Sequence, residues 1–71
     1  MDYRPERDTL EHLLTAEVRK NEPRASSVTV SFDCQFAIYN VEDRHQLRKL
    51  SAAAQKFLRE GGAIPTDLLE V

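Results

Sequence analysis

Apolar and polar residues alternate along one stretch of the chain, residues 28–38. Side chains of a β-strand alternate between its two faces, so this pattern predicts a strand with one buried and one solvent-facing side. No other stretch alternates in this way, and the sequence therefore offers this strand no clear pairing partner. The apolar residues occupy the even positions: Val28, Val30, Phe32, Cys34, Phe36 and Ile38.

Two arrangements of this stretch fit its pattern. The first is a single long strand that pairs antiparallel with the same strand of a second copy across a two-fold axis. The second is a β-hairpin within residues 28–39, in which a three-residue loop pairs Phe32 with Phe36 and keeps the apolar side chains on one face. We favour the single strand, because the third loop position would be Gln35 rather than the glycine or asparagine that such loops prefer.

Helical periodicity predicts one helix on each side of this strand, at residues 8–21 and 41–60. Asp8 and Asn40 are the expected N-caps, and Gly61 and Gly62 form the expected stop of the second helix. The second helix would bury one apolar arc, made of Leu47, Leu50, Ala54, Phe57 and Leu58. The last residues, which include Leu68 and Leu69, are expected to dock on the core as a short strand or a helical turn. The sequence thus predicts one small α/β (α+β) domain, residues 1–71, in the order helix, strand, helix and tail.

The length and charge of the chain favour association with another protein. A chain of 71 residues buries only roughly 60% of its unfolded surface, so a shared core would add stability. One cysteine forms no internal disulfide, and together with His12 and His45 it lacks the spacing of a zinc site. We expect Cys34 to be a small core residue and both histidines to be solvated. The net charge of −2 argues against an obligate polyanion binder.

The predicted interface with the second copy is centred on the alternating stretch. Glu17 joins it because this carboxylate falls within the apolar arc of the first helix, where an arginine of a partner chain could pair with it. The interface residues are therefore Val28, Val30, Phe32, Phe36, Ile38 and Glu17.

A second surface is the basic arc of the predicted second helix, which would suit a phosphate backbone. It comprises Arg44, Arg48, Lys49, Lys56 and Arg59. No aromatic residue interleaves with these cations for base stacking, so nucleic acid is the alternative partner rather than the preferred one.

The sequence predicts a small protein–protein interaction module: an adaptor, inhibitor or accessory subunit that forms a homodimer through its strand and also binds another protein. We find no catalytic signature and no cofactor motif, and we predict that the protein is not an enzyme. The charged start of the sequence and the lack of a long apolar run predict a cytoplasmic protein without a membrane span. The alternative function is a nucleic-acid-binding transcriptional regulator that uses the basic face of the second helix.

Overall fold

The computed structural model describes residues 5–71 and shows a mixed α+β domain, as predicted. Three antiparallel strands form one sheet in the order β1-β2-β3, where the sequence suggested one strand. The elements in chain order are α1 (Pro5–Asn21), β1 (Thr29–Val30), β2 (Phe36–Val41), β3 (Arg44–Lys49) and α2 (Ala52–Glu60).

Helix α1 ends at Asn21, as its sequence pattern indicated, but it already includes Pro5. Proline suits the first turn of a helix because its missing N–H has no intrahelical partner there. Asp8 therefore lies inside the helix and not at its N-cap. Leu10, Leu14 and Val18 follow one another at intervals of one turn and are buried.

The alternating stretch is a hairpin, so the prediction of a single long strand is wrong. The register predicted for the hairpin is also wrong, because β1 pairs with β2 through Val30↔Ala37. The Ser31 N–H donates to the Phe36 carbonyl oxygen at 2.8 Å and closes a four-residue loop, residues 32–35. A loop with an even number of residues pairs even positions with odd ones, so Phe36 faces away from Val30.

The predicted helix over residues 41–60 is wrong in its first half, which instead forms a second hairpin. Glu42 and Asp43 make the turn between β2 and β3 with φ values of 49° and 67°. Positive φ at both central residues is typical of a type I′ turn, which matches the twist of the two strands it joins. The helix itself is capped by Ser51 and ends at Glu60, as predicted from Gly61.

Ser51 connects the start of α2 to the C-terminal tail. Its Oγ accepts a hydrogen bond from the Ala54 N–H at 3.0 Å and donates one to the Asp67 carbonyl oxygen at 2.6 Å. The tail then runs antiparallel beside the end of β3, where Leu69 lies opposite Leu50. The tail therefore docks as a short strand-like segment, one of the two forms predicted for it.

Both helices cover the same side of the sheet. One cluster of buried side chains includes residues from α1, the strands, α2 and the tail. The strands contribute Val28, Val30, Ala37 and Tyr39, counting the residue just before β1. The opposite side of the sheet has no helix over it within residues 5–71.

Candidate protein-binding surface

The side of the sheet opposite the helices carries three apolar side chains. We call this surface the open face; register and alternation place on it Thr29, Phe36, Ile38, Asn40, His45, Leu47 and Lys49. Ile38 pairs with Leu47 and Phe36 pairs with Lys49, so the members of each pair point to the same side. Leu47 is 57% exposed, while Phe36 and Ile38 are half-buried. Apolar side chains gathered on one exposed surface mark a site of association more often than isolated ones do.

The loop between β1 and β2 adds an exposed aromatic residue and one acid. Phe32 is 99% exposed in this loop. The Ser31 hydroxyl donates to Asp33 Oδ1 at 2.5 Å, and the Gln35 N–H donates to the same oxygen at 3.2 Å. The hydrogen bond from Ser31, with further help from the Gln35 N–H and the charge of Lys49, lowers the pKa of Asp33 below its ordinary value of 3.8.

The structure separates the residues of the predicted interface. Val28 and Val30 are 2% and 5% exposed and belong to the protein's own core. Phe36 and Ile38 lie on the open face, and Phe32 lies in the exposed loop. Glu17 pairs with Lys20 of its own helix at 3.2 Å in a largely exposed ion pair.

Side chains of α1 close the outer edge of β1. The Val28 N–H donates to Thr15 Oγ1 at 2.9 Å, and the Val30 N–H donates to Glu11 Oε2 at 2.8 Å. Arg7 Nη2 donates to the carbonyl oxygen of Val30 at 2.8 Å and to the next one along at 2.9 Å. An edge whose main-chain groups are already bonded is a poor template for another strand.

The outer edge of β3 is different. The Leu50 N–H donates to the Gln35 carbonyl oxygen at 2.8 Å, so the even positions of β3 turn their main-chain groups toward β2. The odd positions turn theirs outward, and the tail bonds the Lys49 carbonyl oxygen and the Ser51 N–H. The outward groups of His45 and Leu47 have no hydrogen-bonding partner among residues 5–71. Within the described part of the chain, this stretch is a free strand edge.

The five cations predicted to share one helical arc do not share a surface. Arg44, Arg48 and Lys49 lie on β3, whereas the other two lie on α2. Strand alternation also places Arg44 and Arg48 on the helix side of the sheet and Lys49 on the open face. The arc is wrong because residues 44–49 are extended, so helical spacing does not apply to them. Lys56 and Arg59 complete the set, and all five side chains are exposed.

The remaining candidates for chemistry lie apart from one another. Cys34 lies half-buried in the β1–β2 loop, with Arg7 Nη1 3.5 Å from its Sγ. It packs against the outside of the core and is not one of the fully buried core residues, where the sequence placed it. His12 and His45 are both exposed, as expected. Across residues 5–71, no group of three or more metal-ligating side chains comes together. Neither helix in this part of the chain is long and apolar enough to cross a membrane.

Leu47 and the free edge of β3 are the features that sequence reasoning missed. Helical spacing predicts that Leu47 shares the buried arc of a helix with Leu50. The signal that could have corrected this is Ser51 followed by three alanines, a good N-cap before strong helix formers. A helix that begins there leaves residues 44–49 free to form a strand.

Comparisons of this chain with known protein families, curated proteins and solved structures found no significant match.

Proposed function

We propose that the protein is a homodimeric protein–protein interaction module whose two copies meet through the open face of the sheet. The observation that carries this proposal is the uncovered pair of Ile38 and Leu47, with Phe36 beside it. Covering these side chains removes apolar surface from water, which is the dominant favourable term in most protein association. The module would serve as an adaptor, inhibitor or accessory subunit.

A second copy suits this surface because the surface complements itself. In a two-fold interface the same patch contacts its own copy, so any charges must occur in matching pairs. Lys49 lies on the open face, and Asp33 lies close enough for this lysine to lower its pKa. Two copies can therefore pair Lys49 with Asp33 of the other copy in both directions, while the apolar side chains form the centre.

The two-fold contact proposed here uses a sheet face and not the edge of the alternating stretch. The outer groups of Val28 and Val30 are bonded to α1, so pairing through β1 would first have to break hydrogen bonds of the domain. Packing between faces leaves those bonds intact and joins two small cores into a larger one. Cys34, as a free thiol, is compatible with the reducing cytoplasm, where we propose that the module acts.

Light scattering coupled to size-exclusion chromatography tests the homodimer directly. The wild-type protein at about 50 μM should have the mass of a dimer, and Leu47→Glu should have the mass of a monomer. Leu47 is more than half exposed, so the glutamate leaves the fold of each copy intact. The matched control is Ala16→Glu, which adds the same charge at an exposed position of α1 and should remain dimeric.

Circular dichroism should give the same spectrum for all three proteins, which would establish that each is folded. A wild-type protein that is monomeric at this concentration contradicts the proposal. A Leu47→Glu variant that remains dimeric contradicts the assignment of the interface to the open face.

A further inference from the structure

We infer that the free edge of β3 binds an extended acidic segment of a partner protein as a fourth strand of the sheet. This goes beyond the homodimer because it uses main-chain groups at the sheet edge, while the proposed dimer uses side chains on the open face. Adding a strand to an exposed edge is a general mode of peptide recognition, in which main-chain hydrogen bonds give affinity and side-chain contacts give specificity.

The main-chain groups that would hold the segment are those of His45 and Leu47. Both residues turn an N–H and a carbonyl oxygen outward, and these groups have no partner among residues 5–71. An antiparallel segment can exchange two hydrogen bonds with each of them, as the strands inside the sheet already do. The edge of β1 has no such capacity because Glu11 and Thr15 occupy it.

The charge of β3 selects an acidic occupant over a second copy. The strand carries Arg44, Arg48 and Lys49 and no acid. Pairing β3 with itself in the register that joins His45 to Leu47 would set Arg44 directly opposite Arg48 of the other copy, twice. Like charges directly opposite each other destabilise strand pairing, whereas an acid opposite each arginine stabilises it.

The tail of this chain already shows the same chemistry on the same edge. It carries Asp67 and Glu70 around Leu68 and Leu69, and it runs antiparallel to the end of β3. The Glu70 N–H donates to the Lys49 carbonyl oxygen at 2.9 Å, and the Ser51 N–H donates to the Leu68 carbonyl oxygen at 2.9 Å. An acidic and apolar segment therefore pairs with this cationic strand within the domain itself.

Register and alternation define the sequence that such a segment needs. The residue opposite Leu47 points to the open face and should be apolar, because it extends the row formed by Leu47 and Ile38. The residues opposite Arg44 and Arg48 point to the helix side and should be acidic. The simplest sequence that meets these conditions is Glu-Val-Thr-Val-Glu, paired antiparallel with β3. Its first glutamate lies opposite Arg48. The exposed Val71 of the tail has to move aside there.

Binding of this peptide, capped at both ends and labelled, can be measured by fluorescence anisotropy. N-methylation of either valine should weaken binding about tenfold, since the valine N–H groups face β3. N-methylation of the threonine should leave the affinity within about twofold, because its N–H faces away from β3. A Lys-Val-Thr-Val-Lys peptide should bind at least about tenfold more weakly than the acidic peptide.

A pair of double variants tests the role of the arginines. The variant with both Arg44→Glu and Arg48→Glu should no longer bind the acidic peptide and should bind the lysine peptide instead. The matched control is Lys56→Glu with Arg59→Glu, which changes the net charge equally on exposed positions of α2 and should bind the acidic peptide as the wild type does. Circular dichroism of both double variants should match that of the wild type and so establish that they are folded.

Three results would overturn the inference. The first is that all three N-methylations weaken peptide binding equally. The second is that both double variants lose affinity for the acidic peptide equally, and the third is that a single-stranded oligonucleotide of the same net charge displaces the peptide. Equal weakening by all N-methylations would show that the valine N–H groups do not pair with β3 in particular, and either of the other two results would indicate general attraction of polyanions in place of strand addition. Light scattering on the same samples separates this inference from the proposed function. A monomer that binds the peptide contradicts the homodimer alone, whereas a dimer that does not bind it contradicts strand addition alone.

Discussion

At the scale of single residues, Asp33 organises the loop between β1 and β2. Its carboxylate accepts hydrogen bonds from the Ser31 hydroxyl and the Gln35 N–H, while Cys34 between them adopts a φ of 62°. A short acidic side chain that accepts N–H groups two residues ahead is typical of tight turns. The loop holds Phe32 at the surface, so ionisation of the Asp33 carboxylate affects the conformation of an exposed part of the molecule.

We predict that acid loosens this loop. The folded state lowers the pKa of Asp33 below 3.8, so its ionised form stabilises the fold above that pH, and this contribution is lost as the pH falls through the folded value. Nuclear magnetic resonance titration of the Asp33 carboxyl carbon should give a midpoint below 3.8. Ser31→Ala should move that midpoint upward, because it removes the largest cause of the lowering.

Ser27→Ala serves as the control for this titration. It removes an exposed serine hydroxyl near β1 that makes no hydrogen bond to Asp33, and it should leave the midpoint unchanged. An unchanged midpoint in Ser31→Ala would show that the hydroxyl does not hold the ionised carboxylate.

At the scale of elements, local signals predicted the C-terminal ends of both helices but neither their starts nor the strand pairing. Asn21 and Glu60 were correct ends because Pro23 and Gly61 limit the backbone within a few residues. The pairing of residues 28–38 was missed because alternation alone does not reveal where a strand folds back. A four-residue loop shifts the parity, so Ala37 and Tyr39 became core residues in place of Phe36 and Ile38.

The open face escaped prediction for the same reason. Its apolar side chains looked like core residues in the sequence, since Leu47 fitted a helical arc and Ile38 fitted a strand face. Their exposure depends on the partner strand, because Ile38 and Leu47 share a side only when β2 and β3 are paired. Tertiary pairing overrode helical periodicity at residues 44–49, and a single sequence carries little information about such an effect.

The turn between β2 and β3 yields a prediction about stability. Asp43 has a φ of 67°, a region that side chains with a Cβ occupy only at a cost. Asp43→Gly should therefore stabilise the domain by about 0.5–1 kcal/mol after allowing for the greater freedom of glycine in the unfolded chain. Urea unfolding followed by circular dichroism measures this change.

Asp67→Gly provides the matched control, since Asp67 is exposed and is not among the residues with positive φ. The same substitution there should destabilise the domain, by roughly 0.5–1 kcal/mol. Equal effects at both positions would mean that backbone strain in the turn contributes nothing measurable.

At the scale of the whole molecule, the sheet has one closed edge and one that is partly open. Helix α1 supplies Glu11, Thr15 and Arg7 to the main chain of β1, so the helix covers the sheet and also caps its edge. On β3 the tail pairs near Lys49 and Ser51, and no other described residue pairs with the outer edge of this strand. This difference directs any added strand to β3 and makes Glu11 an essential part of the closure of β1.

Replacing Glu11 should open the closed edge. Glu11→Ala leaves the Val30 N–H without its acceptor and should lower the free energy of unfolding by about 1–2 kcal/mol, because an unpaired and largely desolvated N–H is costly. Glu11→Gln keeps an acceptor oxygen and should recover most of that loss. Glu17→Ala, which removes only an exposed pair with Lys20, should change the stability by less than about 0.5 kcal/mol.

Amide hydrogen exchange reveals the two edges separately. In the wild-type protein the Val30 amide should exchange slowly, whereas the amides of His45 and Leu47 should exchange quickly because they point outward from β3. Glu11→Ala should accelerate exchange of the Val30 amide by more than the global loss of stability explains. It should leave the exchange rate of the Leu47 amide unchanged. Slow exchange at Leu47 in the wild type would mean that β3 is already paired in solution, and β3 would then have no free edge for an acidic partner.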